Sequence, residues 1–351
     1  MNQSLKEGLR KLLLTMLLAL GIGAIFILMI GENPVTAYAA LIKGAFNGKL
    51  RLGTTMAGFT PLLLTSIAFA VAAQGGAFNV GVEGEVFLGG IAAAYIGIYW
   101  AFLPKPVLVA ACFAGAMIVA GLWALIPAVL KAYYNVSEVC TTILMNTVAL
   151  YITSYLVSGP MSAGTATPQS LPVHVSLFQF MKPSNANVGI LIAMAVVAAV
   201  ILMLSRTDYG YRIRSVGFNP LHADYAGINS KKVFINSMIL SGMLGGIAGC
   251  IEVLGVHGYF LHNFAAGLGS NGMLAALIVR SNVILTPLMA FFLAVLKSGA
   301  MGMQQTTGVP KALVDTVTAV FIMIATMETA FRYVKRPQMK SEKKPEKEVQ
   351  A

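Results

Sequence analysis

The chain has 351 residues, of which 57% are hydrophobic and only 11% charged, and its mean hydropathy is +0.78. A soluble domain carries about 25% charged residues, so a water-facing globule is excluded. The net charge of +11 would suggest nucleic acid in a soluble protein. Here the placement of the charges matters more than their sum, and no nucleic-acid partner is inferred.

Eight stretches free of Asp, Glu, Lys and Arg reach at least 19 residues: 12–31, 52–82, 86–104, 106–130, 139–181, 183–205, 233–251 and 253–279. A membrane helix needs roughly 20 apolar residues. The expectation is an all-α polytopic membrane protein with about ten transmembrane helices, interrupted by glycine-broken segments. The spans are placed near 12–30, 58–75, 86–103, 107–130, 138–157, 187–205, 233–251, 264–279, 283–303 and 312–329. With the N-terminus inside, 17 basic residues fall on one side and six on the other. Cytoplasmic loops collect Lys and Arg, so both termini are expected in the cytoplasm.

In chain order, the first apolar run follows Lys6, Arg10 and Lys11 and lacks a small-residue cleavage site behind it. It reads as a retained span. Residues 31–60 look too polar to span and carry the turn signals Asn33-Pro34 and Asn47-Gly48. They are expected on the outer surface, with a short helix over 37–46. Residues 159–187, rich in Ser, Thr, Pro and Asn, form the second outer loop. Residues 206–232 form the largest internal loop, with five basic residues, Asp208 and Asp224. The membrane domain is taken as 1–334. The Lys-, Glu- and Pro-rich tail 335–351 has too few apolar residues to order itself. Cys112, Cys140 and Cys250 sit in apolar runs without CxxC spacing, which suggests buried inert thiols and neither disulfide nor metal.

Two stretches break the helical pattern at membrane depth. One runs from Gln74-Gly75-Gly76 through Asn79 to Gly81-Val82-Glu83-Gly84-Glu85; the other is Gly267-Leu268-Gly269-Ser270-Asn271-Gly272. Both contain Gly-x-Glu/Asn-Gly. Non-helical backbone survives in a membrane only inside protein or beside a water-filled cavity, and paired glycine-interrupted segments point to a substrate path. Close helix packing through small residues is the other reading. Intramembrane carboxylates are expensive and so are functional candidates. Glu83, Glu252, Asp315 and Glu328 qualify by position; Glu252 and Glu328 read as structural groups near span ends, and Asp315 as facing a polar group in the bundle. Asn79, Glu83, Glu85 and Asn271 are the residues expected to line the path.

Catalytic motifs are missing. The nearest string to a phosphate-binding loop, Gly44-Ala45-Phe46-Asn47-Gly48-Lys49, is one residue short and has no Ser or Thr after its Lys. There is no HExxH, no GxSxG and no helical His pair. His174, His257 and His262 fall near outer loops and His222 in the inner loop, where solvation is the ordinary reading. No catalytic residue, cofactor or metal site is expected, and any ATP hydrolysis belongs to another subunit.

The string from Ala77 through Asn79, Gly81, Glu83, Gly84 and Glu85 to Gly89 resembles the signature of bacterial ABC-importer permeases for nucleosides and simple sugars, in the wider group of ribose and branched-chain amino-acid permeases. Asn135-Val136-Ser137-Glu138 through Asn146 is similar to the family's internal turn leading into a span. Gly210-Tyr211-Arg212-Ile213-Arg214-Ser215-Val216-Gly217-Phe218-Asn219-Pro220, then Ala223 and Tyr225-Ala226-Gly227-Ile228, resembles its ATPase-docking loop. Thr307-Gly308-Val309-Pro310 through Asp315 resembles the approach to its last span. The loop departs from the usual pattern at His222 and Asp224.

The resemblance implies the transmembrane permease subunit of an ATP-driven importer, with nucleosides as first substrate and related simple sugars next. It implies a cytoplasmic ABC ATPase, a second permease (a different paralogue), an extracellular or periplasmic solute-binding protein, and a bacterial cell membrane. Arg212, Arg214, Gly217, Asn219, Ala223, Tyr225, Ala226 and Gly227 would carry ATPase coupling, with Gly217 as a hinge and Ala226-Gly227 as a small-residue turn. The alternative is an ion-coupled secondary transporter with Glu83 or Asp315 as relay, and a weaker one is a membrane scaffold.

Overall fold

The computed structural model describes residues 3–310 and, beyond them, residues 312, 315, 316 and 319. Among the described residues it is helical, with isolated antiparallel bridges in place of strands. The helices are α1 Gln3–Met29, α2 Pro34–Phe46, α3 Gly48–Gln74, α4 Val82–Tyr99, α5 Lys105–Tyr134 and α6 Glu138–Ser158. They continue with α7 Gly189–Arg206, α8 Asp208–Phe218, α9 Pro220–Tyr225, α10 Ser230–Ile251, α11 Leu268–Ile278 and α12 Thr286–Thr307. A π-helical turn, Glu252–His257, extends α10.

Seven helices among the described residues are long and apolar enough to cross a membrane, or eight if α2 and the preceding bent half of α1 count as one. Among the described residues one expected span is overturned. Residues 264–279 yield only the 11-residue α11, too short to span, because Gly267 and the loop before it do not continue the helix. Most of the last expected span, Glu328 and the tail lie outside the described residues.

Residues 31–60 are more helical than their polarity suggests. Asn33 caps α2 by accepting from the Val35 amide at 2.9 Å, with Pro34 at the first helical position. The short helix therefore covers Pro34–Phe46. The span expected at 58 already begins at Gly48 as a 27-residue helix. Its threonines reconcile polarity with helix: the Thr54, Thr55 and Thr60 hydroxyls donate to the carbonyls of Leu50, Arg51 and Met56, four residues back.

The core is built around α10, which packs on α3, α4 and α5. Small residues let these backbones touch: a Cβ on Gly249 would lie 2.1 Å from Val86 O, and one on Gly89 2.4 Å from Gly246 Cα. Helix association within lipid depends on such close packing. Cys112 and Cys250 are buried as expected. Cys140 is exposed, because α6 turns most of its surface outward, with Leu144, Tyr151 and Tyr155 also uncovered. An apolar residue facing lipid gains nothing by burial in protein.

The 159–188 loop is irregular and packs back on the π-helical region: the Val173 amide donates to Gly258 O at 2.9 Å and the Leu177 amide to Leu254 O at 2.8 Å. At the other end of the bundle, Gln74 Nε2 donates to Ser281 O at 3.0 Å, and α8 lies against the Gln74–Gly76 backbone. These two levels mark opposite ends of the helical bundle. The chain returns from the loop level to the Gln74 level between residues 258 and 281, half as loop and half as α11.

Candidate functional site

The two broken segments meet. A Cβ on Gly269, one residue into α11, would lie 2.5 Å from the Glu83 amide nitrogen at the start of α4. Ser270 Oγ donates to Glu83 Oε2 at 3.4 Å, and one on Gly272 would meet the Thr65 side chain at 2.3 Å. Thr65 Oγ1 also reaches Leu268 O at 3.2 Å. Thr65 precedes Gln74 by nine residues, about 14 Å along a helix, so this junction lies near the middle of a hydrocarbon core roughly 30 Å thick. Two helix N-termini, each with positive dipole character, converge there around one carboxylate. Glu83 and Asn271 are half-buried, and Asn271 closes on itself by donating from Nδ2 to Gly267 O.

Asn79 and Glu85 lie behind this junction, at 0% and 1% exposure. Asn79 Nδ2 donates to Glu85 Oε1 at 2.8 Å and to Ser241 Oγ of α10 at 2.9 Å, and its Oδ1 accepts from the Gly81 amide at 2.9 Å. Glu85 Oε2 has no partner among the described residues. A second amide, Asn146 of α6, accepts from the Gly84 amide at 2.8 Å and donates to Val80 O at 2.9 Å. The two asparagines thus replace the backbone hydrogen bonds that the break at Gly75–Gly81 forgoes. Of the four residues read as path-lining, the structure leaves Glu83 and Asn271 accessible and places Asn79 and Glu85 within the packing.

Sequence reasoning gave no role to Asn146, Ser241 or Ser270. The signal was there for Asn146: an amide in the apolar run 139–181 must find partners in the bundle.

The internal loop folds as α8 and α9, each punctuated by caps. Thr207 Oγ1 accepts from the Gly210 amide at 3.2 Å, Asn219 Oδ1 from the His222 amide at 3.1 Å, and Asn229 Oδ1 from the Lys232 amide at 2.9 Å. Ile213, Val216 and Ala223 are buried beneath it. Arg212, Arg214, Asn219, Tyr225, Ala226 and Gly227 stay exposed. Phe218 is 93% and Tyr225 92% exposed, with Leu221 and Tyr211 also uncovered. A groove of about 440 Å³ runs between Tyr211, Arg214, Phe218, Asn219, His222 and Ala226.

Gly217 differs from its expected role, while Gly227 lies in a turn as expected. Gly217 is a point of contact and not a hinge: it lies within helix α8, and a Cβ there would be 2.0 Å from Gln74 O. Gly227 adopts φ +78° with open space around it, so its backbone conformation, not tightness within this chain, calls for glycine. Asp224 closes α9 onto α10. Its carboxylate accepts from the Ser230 amide at 2.9 Å and the Ser230 hydroxyl at 2.8 Å, and these bonds hold it below the ordinary carboxylate range.

Elsewhere, Lys131 pairs with Glu138 at 3.1 Å across the turn at Asn135, which is left-handed at φ 54°. Glu252 is buried in the π-helical turn, with His257 Nε2 3.5 Å away; His257 is therefore partnered and not merely solvated. Asp315 is exposed. Among the described residues no group of His, Cys, Asp and Glu could hold a metal ion.

Comparison with known proteins places these features in context. Residues 51–327 match the family model described as branched-chain amino acid transport system / permease component. The guanosine ABC transporter permease protein NupP of Bacillus subtilis is 33% identical over 332 residues, covering 92% of this chain and 94% of that protein. The glucose ABC transporter permease protein TsgB13 of Haloferax volcanii is 31% identical, covering 91% and 88%. The nucleoside ABC transporter permease protein NupB of Lactococcus lactis is 29% identical, covering 86% of each. Among solved structures, PsaBC from Streptococcus pneumoniae in complex with Fab superposes with a TM-score of 0.51 at 15% identity, over 82% of this chain and 95% of that one. That likeness concerns the fold.

Proposed function

This chain belongs to the family of branched-chain amino acid transport system permease components, and we propose that within it the cargo is a nucleoside. It is a multi-pass membrane protein and a transport subunit of an ABC importer, not an enzyme. The family implies a separate ATPase and a solute-binding protein. Support for the cargo comes from relatives named for guanosine and nucleosides that match nearly end to end; the relative named for glucose keeps simple sugars as the neighbouring class.

In this reading the path runs past the mid-membrane junction of α4 and α11, with Glu83 and Asn271 facing it and Asn79 and Glu85 holding the broken segment in shape from behind. The ATPase docks on α8–α9. The observation that carries the coupling role is the pair Phe218 and Tyr225, almost fully exposed on a loop whose base is fixed at Gly217 against the end of α3. Exposed large aromatics rimmed by Arg212 and Arg214 suit a protein contact. A rigid base lets displacement of the loop reach α3 and the broken segment that follows it. The second permease is a different chain: two guanosine permease proteins of Bacillus subtilis, NupP and NupQ, both resemble this one, at 33% and 26% identity. Both termini are cytoplasmic, on the side of α8–α9.

The test is co-purification with the cognate ATPase and nucleoside-stimulated ATP hydrolysis in proteoliposomes containing the solute-binding protein. Phe218→Ala with Tyr225→Ala should release the ATPase while the permease stays folded in the membrane. Unchanged association would remove α8–α9 from the coupling role. Stimulation by sugar and not by nucleoside would replace the cargo.

A further inference from the structure

At the end of the bundle opposite α8, helices α2, α3 and α12 line a half-open cavity of about 350 Å³. Its polar lining is Thr36, Lys43, Asn47, Arg51, Thr306 and Thr307: two cations, and no carboxylate. Among the described residues neither Lys43 nor Arg51 has an acidic side chain within ion-pair distance. The hydroxyls of Thr36, Thr306 and Thr307 donate to their own helical or capping carbonyls. Among the described residues the positive charge of the cavity is thus uncompensated.

The guanidinium is seated by the helix crossing beneath it. A Cβ on Gly44 would lie 2.7 Å from Gly299 O, and one on Gly302 would lie 2.3 Å from Gly44 Cα and 2.7 Å from Arg51 Nη1. Any side chain at 302 would push Arg51 away. Arg51 Nη2 also donates to Gln305 Oε1 at 3.0 Å, which fixes the group in a half-buried position.

Depth and surroundings identify the ligand chemistry. Arg51 precedes Gln74 by 23 residues of continuous helix, about 35 Å at 1.5 Å per residue. A hydrocarbon core of roughly 30 Å starting near Gln74 ends just short of Arg51, so the two cations lie at headgroup level in the leaflet away from α8. Beside them Ile42, Phe46 and Leu50 are exposed. Cations above uncovered apolar side chains match a phosphate with acyl chains below it; the acidic side chain of a protein partner would account for the charges alone.

We propose that this cavity binds the phosphate headgroup of an anionic phospholipid. The site is separate from the cargo path and does not depend on which solute is carried.

The test uses the full-length chain, stripped of lipid in neutral detergent and offered phosphatidylglycerol, phosphatidylcholine or inorganic phosphate. Retained lipid is counted by native mass spectrometry. The wild type should retain phosphatidylglycerol, with retention falling roughly five-fold in Lys43→Gln and roughly thirty-fold in Lys43→Gln with Arg51→Gln. Arg51→Lys, which keeps the charge, should retain most of it. Because Lys43 is exposed, its single variant reports on binding even if Arg51→Gln disturbs the helix crossing. Equal retention by wild type and Lys43→Gln would overturn the assignment. So would occupancy by inorganic phosphate as strong as by lipid, or loss of solute-binding-protein docking with lipid retention unchanged.

Discussion

Replacing Asn79 by Ala removes three hydrogen bonds at once from a site with no access to water. Its donors to Glu85 Oε1 and Ser241 Oγ and its acceptor for the Gly81 amide lie between 2.8 and 2.9 Å. Each buried polar group left unpaired costs about 1–3 kcal/mol. The Gly81 amide and the Glu85 carboxyl lose their partner outright, while the Ser241 hydroxyl can rotate to another. The expected loss is therefore about 2–6 kcal/mol, and at roughly 2 °C per kcal/mol the melting temperature should fall by roughly 4–12 °C. Glu85→Gln has the same shape and keeps the Oε1 acceptor, so it should lie close to the wild type. Asn79→Asp keeps the Gly81 contact but sets an acceptor against Glu85 Oε1, and it should be at least as damaging as Ala. The assay is thermal unfolding of the detergent-solubilised chain followed by size-exclusion fluorescence, with uptake measured in parallel. A melting temperature for Asn79→Ala within about a degree of the wild type would refute the claim that this network holds the broken segment.

Gly217→Ala places a methyl 2.0 Å from Gln74 O; it should leave insertion intact but uncouple ATP hydrolysis from uptake, and normal coupling would show that the α8–α3 contact yields freely. Asp224→Ala should speed hydrogen exchange across the α9–α10 turn, since the Ser230 bonds go with the carboxylate. Because the folded-state value is depressed, that contribution is present above the ordinary 3.8 and fades as pH falls through the lowered value; an effect of the substitution that persists undiminished in acid well below that value would contradict it. Cysteine at Ser176, exposed in the 159–188 loop, should react with an impermeant reagent from outside, and cysteine at Asn219 only from inside; labelling of Asn219 in intact cells would reverse the topology.

The membrane class and the position of the broken segments were legible because charge and glycine act locally. Uncharged runs of 19 residues or more admit few other readings, and glycine at 75, 76 and 81 marks a place where a helix does not run on. The start of α3 was misread because the polarity of Thr54, Thr55 and Thr60 says nothing of where their hydroxyls point, and inside a helix they return to the backbone. The role of α11 was partly visible: composition could show a short apolar run after Gly267-Leu268-Gly269, but only tertiary structure could show that it ends against Glu83. The division between Glu83, accessible, and Glu85, enclosed, was not visible, because residues two apart in a helix point in different directions and sequence alone does not say which face meets α10. Gly217, expected as a hinge, makes a close contact, and Gly227, expected in a turn, lies in one at positive φ; a glycine's cause, space or φ, lies in its surroundings and not in its letter.

The most direct measurement of the central claim is uptake of labelled guanosine into vesicles reconstituted with this chain, its second permease, the ATPase and the solute-binding protein. ATP inside the ATPase compartment should drive accumulation, a proton or sodium gradient without ATP should not, and unlabelled nucleosides should compete where glucose and leucine do not. Gradient-driven accumulation without ATP, or competition by glucose or leucine in place of nucleosides, would contradict the account.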